Sequence, residues 1–448
     1  MVLPLVPWPA SVSVRSAAPE PETAPNGERP ARVETVQTSG DFGPEAYRLV
    51  VTGDAIRIES STPAGEFYAR QTLAQLQAAG EPLPEVDIRD EPRFAYRGLM
   101  LDVARHFHPV ETVEAVIRHA AALKLNALHL HLSDDQGWRL ALRSHPELAE
   151  HGSGTAVGGD AGGFYTRDDY ARIVATAAAH HMIVVPEIDL PGHTHAIGLS
   201  HPELLADPAP SPHLDGPLPP KDQPYTGVGV GFSSLRADGP GLEQFLREVL
   251  GEVAGLTPDP YLHVGGDEAL GTDPDDYRAM IRLATGIVTE TGKTPVTWHE
   301  AGAAGLPRGT IGQYWGFRDG SADDSRDHAA KALAFAENGG AVILSPADAI
   351  YLDMKPHEDS PLGLTWANGA TSVERSYDWD PATVIPGLAD DAIAGVEACL
   401  WSETIRTLAD IEAMILPRIG SAAEAGWSRP AGTEEREWES FRRRMPGC

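Results

Sequence analysis

The chain has 448 residues, more than one hydrophobic core usually serves, so at least two domains are expected. Its 42% hydrophobic and 22% charged content is the balance of a soluble globular protein, and no apolar run approaches the length that crosses a bilayer. A formal net charge of −30 excludes nucleic acid and anionic membrane surfaces as natural partners by simple repulsion.

Two cysteines, Cys399 and Cys448, are too few for a disulfide framework and match no metal-site spacing. The N-terminal MVLPLVPWPASVSV is apolar, lacks a basic n-region and carries three prolines. It reads as a first strand. With no signal peptide visible, a cytoplasmic location is expected, or secretion if a leader has been removed.

Up to about residue 95 the pattern predicts a small α+β domain. YRLVVTGDAIRIESS (47–61) gives two alternating strands around a Gly-Asp turn, and GEFYARQTLAQLQAAG (65–80) an amphipathic helix closing on Gly80. EPLPEVDIRDEPRF, rich in Pro and Glu, reads as a connector.

From residue 96 to 448 apolar strand-like runs alternate with longer helical ones. RGLMLDVA precedes a helix whose Val110, Val113, Ile117 and Ala121 share one face. NALHLHLSDD precedes a helix with Thr166 as N-cap. MIVVPEIDLPGH and YLHVGGDE each precede a further helix, and PVTWHE, IGQYWG, AVILSPAD and AIAGVEACLW complete eight strands. The fold class expected is α/β, a closed parallel (β/α)8 barrel preceded by the small α+β domain. An open doubly wound sheet would carry a Gly-rich phosphate loop after its first strand, and none is present.

Polar and aromatic residues gather at the strand ends: Arg105 and His106, Asp134 and Asp135, Glu187 and Asp189, Asp267 and Glu268, Trp298 and Glu300, Trp315, Asp348, Trp401 and Glu403. One strand-end Asp is readily a helix cap; the feature on nearly every strand points to the rim where barrel enzymes act. Carboxylates with tryptophans suit carbohydrate, since indoles stack on sugar faces. HLH (129–131) and GHTH (192–195 with its glycine) offer a rival metal-hydrolase reading, weakened because Leu128, Leu130 and Leu132 alternate with the histidines. A sugar-binding protein without activity is a third reading, countered by the presence of Glu268. The Pro/Gly-rich segment 201–232 is either an inert insertion or a substrate-shaping loop over the rim.

RGLMLDVARHFHPVE, LHLHLSDDQGWRL, VVPEIDLPGHTHA, YLHVGGDEA, IGQYWG, ILSPADAIYLDM and ACLWSETI, in this order, resemble the β-N-acetylhexosaminidases of glycoside hydrolase family 20. The resemblance implies an exo-acting, retaining hydrolase of terminal β-linked GlcNAc or GalNAc, whose nucleophile is the substrate's own acetamide oxygen. It implies Glu268 as general acid and base, with its pKa raised, and Asp267 as acceptor of the acetamido N–H. Tyr351 would donate to the acetamido oxygen, while Trp298, Trp315 and Trp401 enclose its methyl. Arg105, Asp353 and Glu403 would bind ring hydroxyls. Asp134 and His193 would support the acid, and Trp366 would border the leaving group. No metal and no organic cofactor is implied. His299 departs from the pattern, which sets an acidic residue or Asn after the Trp. Oligomeric state, monomer or homodimer, stays open, as does the choice between GlcNAc and GalNAc.

Overall fold

The computed structural model describes residues 3–14, 32–38, 42–53, 55–80, 82–318, 325–433, 436–445 and 447. Cys448 and Asp54 of the expected Gly-Asp turn lie outside them.

The N-terminal unit is a five-stranded sheet of β1 (Ser11–Val14), β2 (Arg32–Gln37), β3 (Tyr47–Thr52), β4 (Ala55–Ser60) and β5 (Val86–Asp90), in the order β1-β5-β3-β4-β2. β3 and β4 form the expected antiparallel hairpin, Tyr47 opposite Ser60. One helix, α1 (Pro63–Ala78), starts at Thr62, whose hydroxyl accepts from the Gly65 N–H, and buries Tyr68, Leu73 and Leu76. Two expectations are corrected here. The Pro-containing connector contains β5, which lies inside the sheet between β1 and β3; Val86, Ile88 and Asp90 alternate inward, a five-residue signal hidden between Pro84 and Pro92. The N-terminal stretch is strand only from Ser11, with Leu3 and Leu5 instead filling the core.

The barrel strands are β6 (Tyr96–Asp102), β7 (Ala127–His131), β8 (Ile183–Glu187), β9 (Tyr261–His263), β10 (Thr294–Trp298), β11 (Ile311–Tyr314), β12 (Val342–Leu344) and β13 (Ile393–Leu400). Each pairs in parallel with the next, and β13 closes onto β6 with Val396 opposite Arg97. The outer helices include α2 (Val110–Ala122), α3 (Arg167–Ala179), α4 (Leu242–Leu256), α5 (Pro274–Glu290), α6 (Ser325–Glu337) and α7 (Ile419–Trp427). α3 starts in a capping box of Thr166 with Asp169. The eightfold alternation is imperfect. Between β10 and β11 the crossover is a 3-10 helix, His299–Ala304, and between β12 and β13 only helices of four or five residues and a three-residue 3-10 turn occur.

Strand alternation sorts the side chains. Leu128 and Leu130 of β7 pack outward in the main core under the helices, while His129 and His131 point into the barrel. The bottom of the barrel is apolar, from Tyr96, Ala127, Val185, Val296, Ile311 and Ile343. Above it lies a polar layer: His129 bridges Glu397 (2.8 Å) and Glu187 (3.1 Å), and Gln313 Nε2 donates to Glu397 (2.7 Å). Both HLH imidazoles therefore serve barrel packing. The two units meet on Asp90, which accepts from Trp427 Nε1, Lys124 Nζ and the Tyr47 hydroxyl at 2.6–2.8 Å. Trp427 completes the N-terminal core, so the small unit is seated on the barrel wall.

Candidate active site

β9 stops at His263, and the next residues leave the strand. Gly265 and Gly266 have φ of +67° and +111°, and Glu268, a non-glycine, +46°. At Gly265 a Cβ would lie 1.6 Å from Asp189 Oδ1, so only glycine lets the backbone pass. This left-handed turn replaces strand alternation. Asp267 and Glu268, which would diverge on a strand, both line one cavity of about 480 Å³ at the C-terminal rim.

The two carboxylates differ in setting. Asp267 is buried, with Oδ2 3.6 Å from His193 Nε2. Burial pushes it up to about 6, with His193 pulling against that rise and the Glu268 charge adding to it. Asp189 lies beside it; burial and the Asp267 charge hold Asp189 well above the carboxylate range. Glu268 is 27% exposed at its side chain, with Oε2 3.3 Å from His193 Nε2.

His193 is itself fixed by Asp134, Nδ1 to Oδ1 at 3.2 Å. Asp134 also holds Arg105 Nη1 (2.6 Å), His131 Nε2 (2.7 Å) and the Asp135 N–H (2.6 Å). Burial alone would raise Asp134, yet Arg105 and His193 keep it far below the usual range. For His193 the same contest favours the cation: burial opposes it, and Asp134 and Asp267 raise it well above an ordinary imidazole. Asp134, His193 and Glu268 thus form a connected line from the barrel interior to the cavity.

The remaining expected residues divide between lining and support. Arg105, Trp315, Tyr351, Trp366, Trp401 and Glu403 line the cavity. The Arg105 guanidinium lies 4.7 Å over the Trp401 ring, and Trp315 Nε1 donates to Glu300 (3.0 Å). Trp366 is 47% exposed at the rim, edge-on to Trp315 and Tyr351. Trp298 is fully buried beneath, donating to Glu187 at 2.9 Å and tilted against Trp401 at 5.9 Å; it lies below the lining. Asp353 is also behind the lining, beside Glu403, with no hydrogen-bonding partner on either carboxylate oxygen. Burial pushes Glu403 up to about 7, with Arg105 pulling the other way.

Three features named from the sequence take places that the sequence did not define. Glu187, read as a rim residue, sits inside the barrel and takes His129, His131 and Trp298 as donors. His213, Val228 and Val230 of the Pro/Gly-rich segment line the cavity, so part of that segment forms its wall. His299, the local departure, is buried away from the cavity, tilted against His328 with ring centroids 4.6 Å apart.

A barrel with paired carboxylates and aromatic walls at its rim defines a glycoside hydrolase. The model of glycosyl hydrolase family 20, catalytic domain, matches residues 94–430, and that of its domain 2 matches residues 9–91. The chain belongs to glycosyl hydrolase family 20, and its enzyme class is that of the β-N-acetylhexosaminidases. It is 42% identical to a β-N-acetylhexosaminidase of Cellulomonas fimi, over 90% of this chain and 77% of that one. A family 20 β-N-acetylglucosaminidase structure superposes with a TM-score of 0.92 at 50% identity, covering 99% of this chain and 95% of that one. The Streptomyces plicatus N-acetyl-β-hexosaminidase in complex with Thio-NAglucal gives 0.86 at 40% identity, covering 99% and 93%. Among the described residues no helix is long and apolar enough to cross a membrane.

Proposed function

We propose that the enzyme removes terminal GlcNAc or GalNAc from β-linked glycans with retention, the substrate's acetamide oxygen attacking C1. The observation that carries this reading is the turn at 265–268, which delivers two adjacent carboxylates of unlike setting into one cavity. Glu268, partly exposed beside His193, protonates the glycosidic oxygen as the bond to C1 breaks. The acetamide oxygen bonds to C1 in the same step, giving an oxazolinium and a free leaving-group alcohol. Glu268 then takes a proton from the water that reopens the ring, so it ends as it began.

Asp267 accepts the acetamido N–H and offsets the positive charge that grows on nitrogen. Its buried place beside Asp189 and His193 makes that charge count, because little water screens it. Tyr351 donates to the acetamide oxygen, and Trp315 and Trp401 confine the methyl group, with Trp298 as the floor beneath. Arg105, Glu403 and Asp353 take ring hydroxyls; Trp366 stacks the leaving-group sugar. Residues 1–95 form a non-catalytic unit, consistent with a cavity lining drawn only from residue 105 onward. That a Streptomyces plicatus variant is described in complex with product GlcNAc supports this substrate class.

The test is hydrolysis of chromogenic β-GlcNAc, β-GalNAc and β-glucoside substrates side by side. Cleavage of the N-acetylated pair with negligible turnover of the glucoside is expected. Comparable rates on the glucoside, which has no acetamide, would overturn the reading.

A further inference from the structure

The pentapeptide SHPEL occurs twice, at 144–148 and 200–204, and the fold brings the two copies together. The first opens the helix Pro146–Gly152 after β7; the second lies beyond β8, seven residues past His193 at its start. Both imidazoles rest on Phe245 of α4, with ring centroids at 4.9 Å (His145) and 5.0 Å (His201), and on each other at 5.0 Å.

One carboxylate oxygen faces both rings. Glu147 Oε1 lies 3.3 Å from His145 Nδ1 and 3.2 Å from His201 Nε2, and the three atoms lie within 4.8 Å of one another. The two oxygen–nitrogen separations match the edge of a tetrahedron whose metal–ligand bonds are about 2.0 Å. The opposite ring nitrogens are held from outside: His145 Nε2 by Glu248 (2.9 Å), His201 Nδ1 by the Ser200 hydroxyl (2.9 Å). A hydrogen bond on the far nitrogen is what orients a ligating imidazole and raises its basicity. Glu147 is 37% exposed at its side chain, which leaves a fourth position open to water.

We propose that His145, Glu147 and His201 form a divalent transition-metal site of the zinc class. Two imidazoles and one carboxylate select zinc over magnesium or calcium, which prefer all-oxygen sets. None of the three residues lines the catalytic cavity. The site is therefore structural: it ties the loop after β7 to the one after β8, and so braces the segment that begins at His193. This purpose is separate from the metal-hydrolase reading of the barrel histidines His129 and His131, whose nitrogens serve Glu187, Glu397 and Asp134.

The test is equilibrium dialysis of the full chain, stripped with EDTA, against zinc chloride, with magnesium chloride as the control. About one zinc per chain is expected in the wild type. His145→Gln and His201→Gln should each weaken zinc binding by about 100-fold or more, and Ser200→Ala, which frees the outer nitrogen of His201 and removes a bond to the Ile197 carbonyl, by about tenfold. Stripping should lower the melting midpoint of the wild type but not of His201→Gln, and leave kcat unchanged in both. Zinc held by His201→Gln at wild-type affinity, or none held by the wild type at micromolar free zinc, would overturn the site. Loss of kcat on stripping would count against the metal-free chemistry above instead, so the two failures are distinguishable.

Discussion

On the side of the cavity built from β6, β7 and β8, two buried carboxylates have both oxygens engaged: Asp134 meets Arg105, His131 and His193, and Glu187 meets His129, His131 and Trp298. On the side built from the loops after β12 and β13, Asp353 and Glu403 form a contrasting pair. Asp353 has no partner on either oxygen, and Glu403 none on Oε2. A buried polar group left unpaired costs about 1–3 kcal/mol, so its persistence asks for an explanation. The paired wall keeps a fixed shape and charge around the acid. On the proposed function, the unpaired wall offers acceptors to the hydroxyls of a sugar and recovers their cost when one arrives.

The largest break should come at the acid. Glu268→Gln preserves the fold and lowers kcat on an unactivated disaccharide by about 10³-fold or more, measured by product release. Asp267→Asn follows, with about 10²-fold or greater loss on N-acetylated substrates while thermal stability stays near wild type. Next comes the contrast between the walls, read with one chemical change on each. Asp134→Asn leaves Arg105 and the His131 imidazole facing an uncharged amide, and should destabilise the protein by about 3–5 kcal/mol in urea unfolding. Burial disfavours the charged form of Asp353, so Asp353→Asn should leave stability near wild type and instead raise KM by about tenfold, the worth of one hydrogen bond. Equal destabilisation by the two variants would erase the distinction.

The smallest expected effect is in pH. In the proposed mechanism Asp267 must be ionised to accept the acetamido N–H, and burial has moved it up to about 6. kcat/KM should therefore hold above that pH and fall as pH drops through it, rather than near the ordinary carboxylate range. The paired wall has an opposite signature in stability. His129 and His131 are raised to about 9 and about 10 against burial by their carboxylates, above the ordinary 6.5. Their stabilisation is complete below pH 6.5 and is lost as pH rises through those values, which thermal melts across pH 6–10 would record.

Much of this molecule was legible in its residues because the strand-end motifs are local. The eight barrel strands, the hairpin at 47–60 and the Thr166 cap follow from alternation, turn chemistry and capping, all short-range rules. The misses are long-range. VDIRD is a strand because β1 and β3 flank it, which Pro84 and Pro92 conceal. The turn at Asp267 and Glu268 depends on Asp189, 76 residues before Gly265 in the chain, coming close enough to demand glycine. Glu187 reads as a rim residue until the barrel closes and its donors on β7 and β10 become neighbours. The loop 201–232 joins the site only because it folds back over it.

The central claim is that the cavity is shaped for an acetamide that has bonded to its own sugar ring. A thiazoline analogue of the oxazoline, assayed as a competitive inhibitor beside GlcNAc itself, tests this most directly. Binding at least about 100-fold tighter than GlcNAc is predicted, as for a mimic of the reacting state, and lost in Asp267→Asn. A thiazoline that binds no better than GlcNAc would contradict the account.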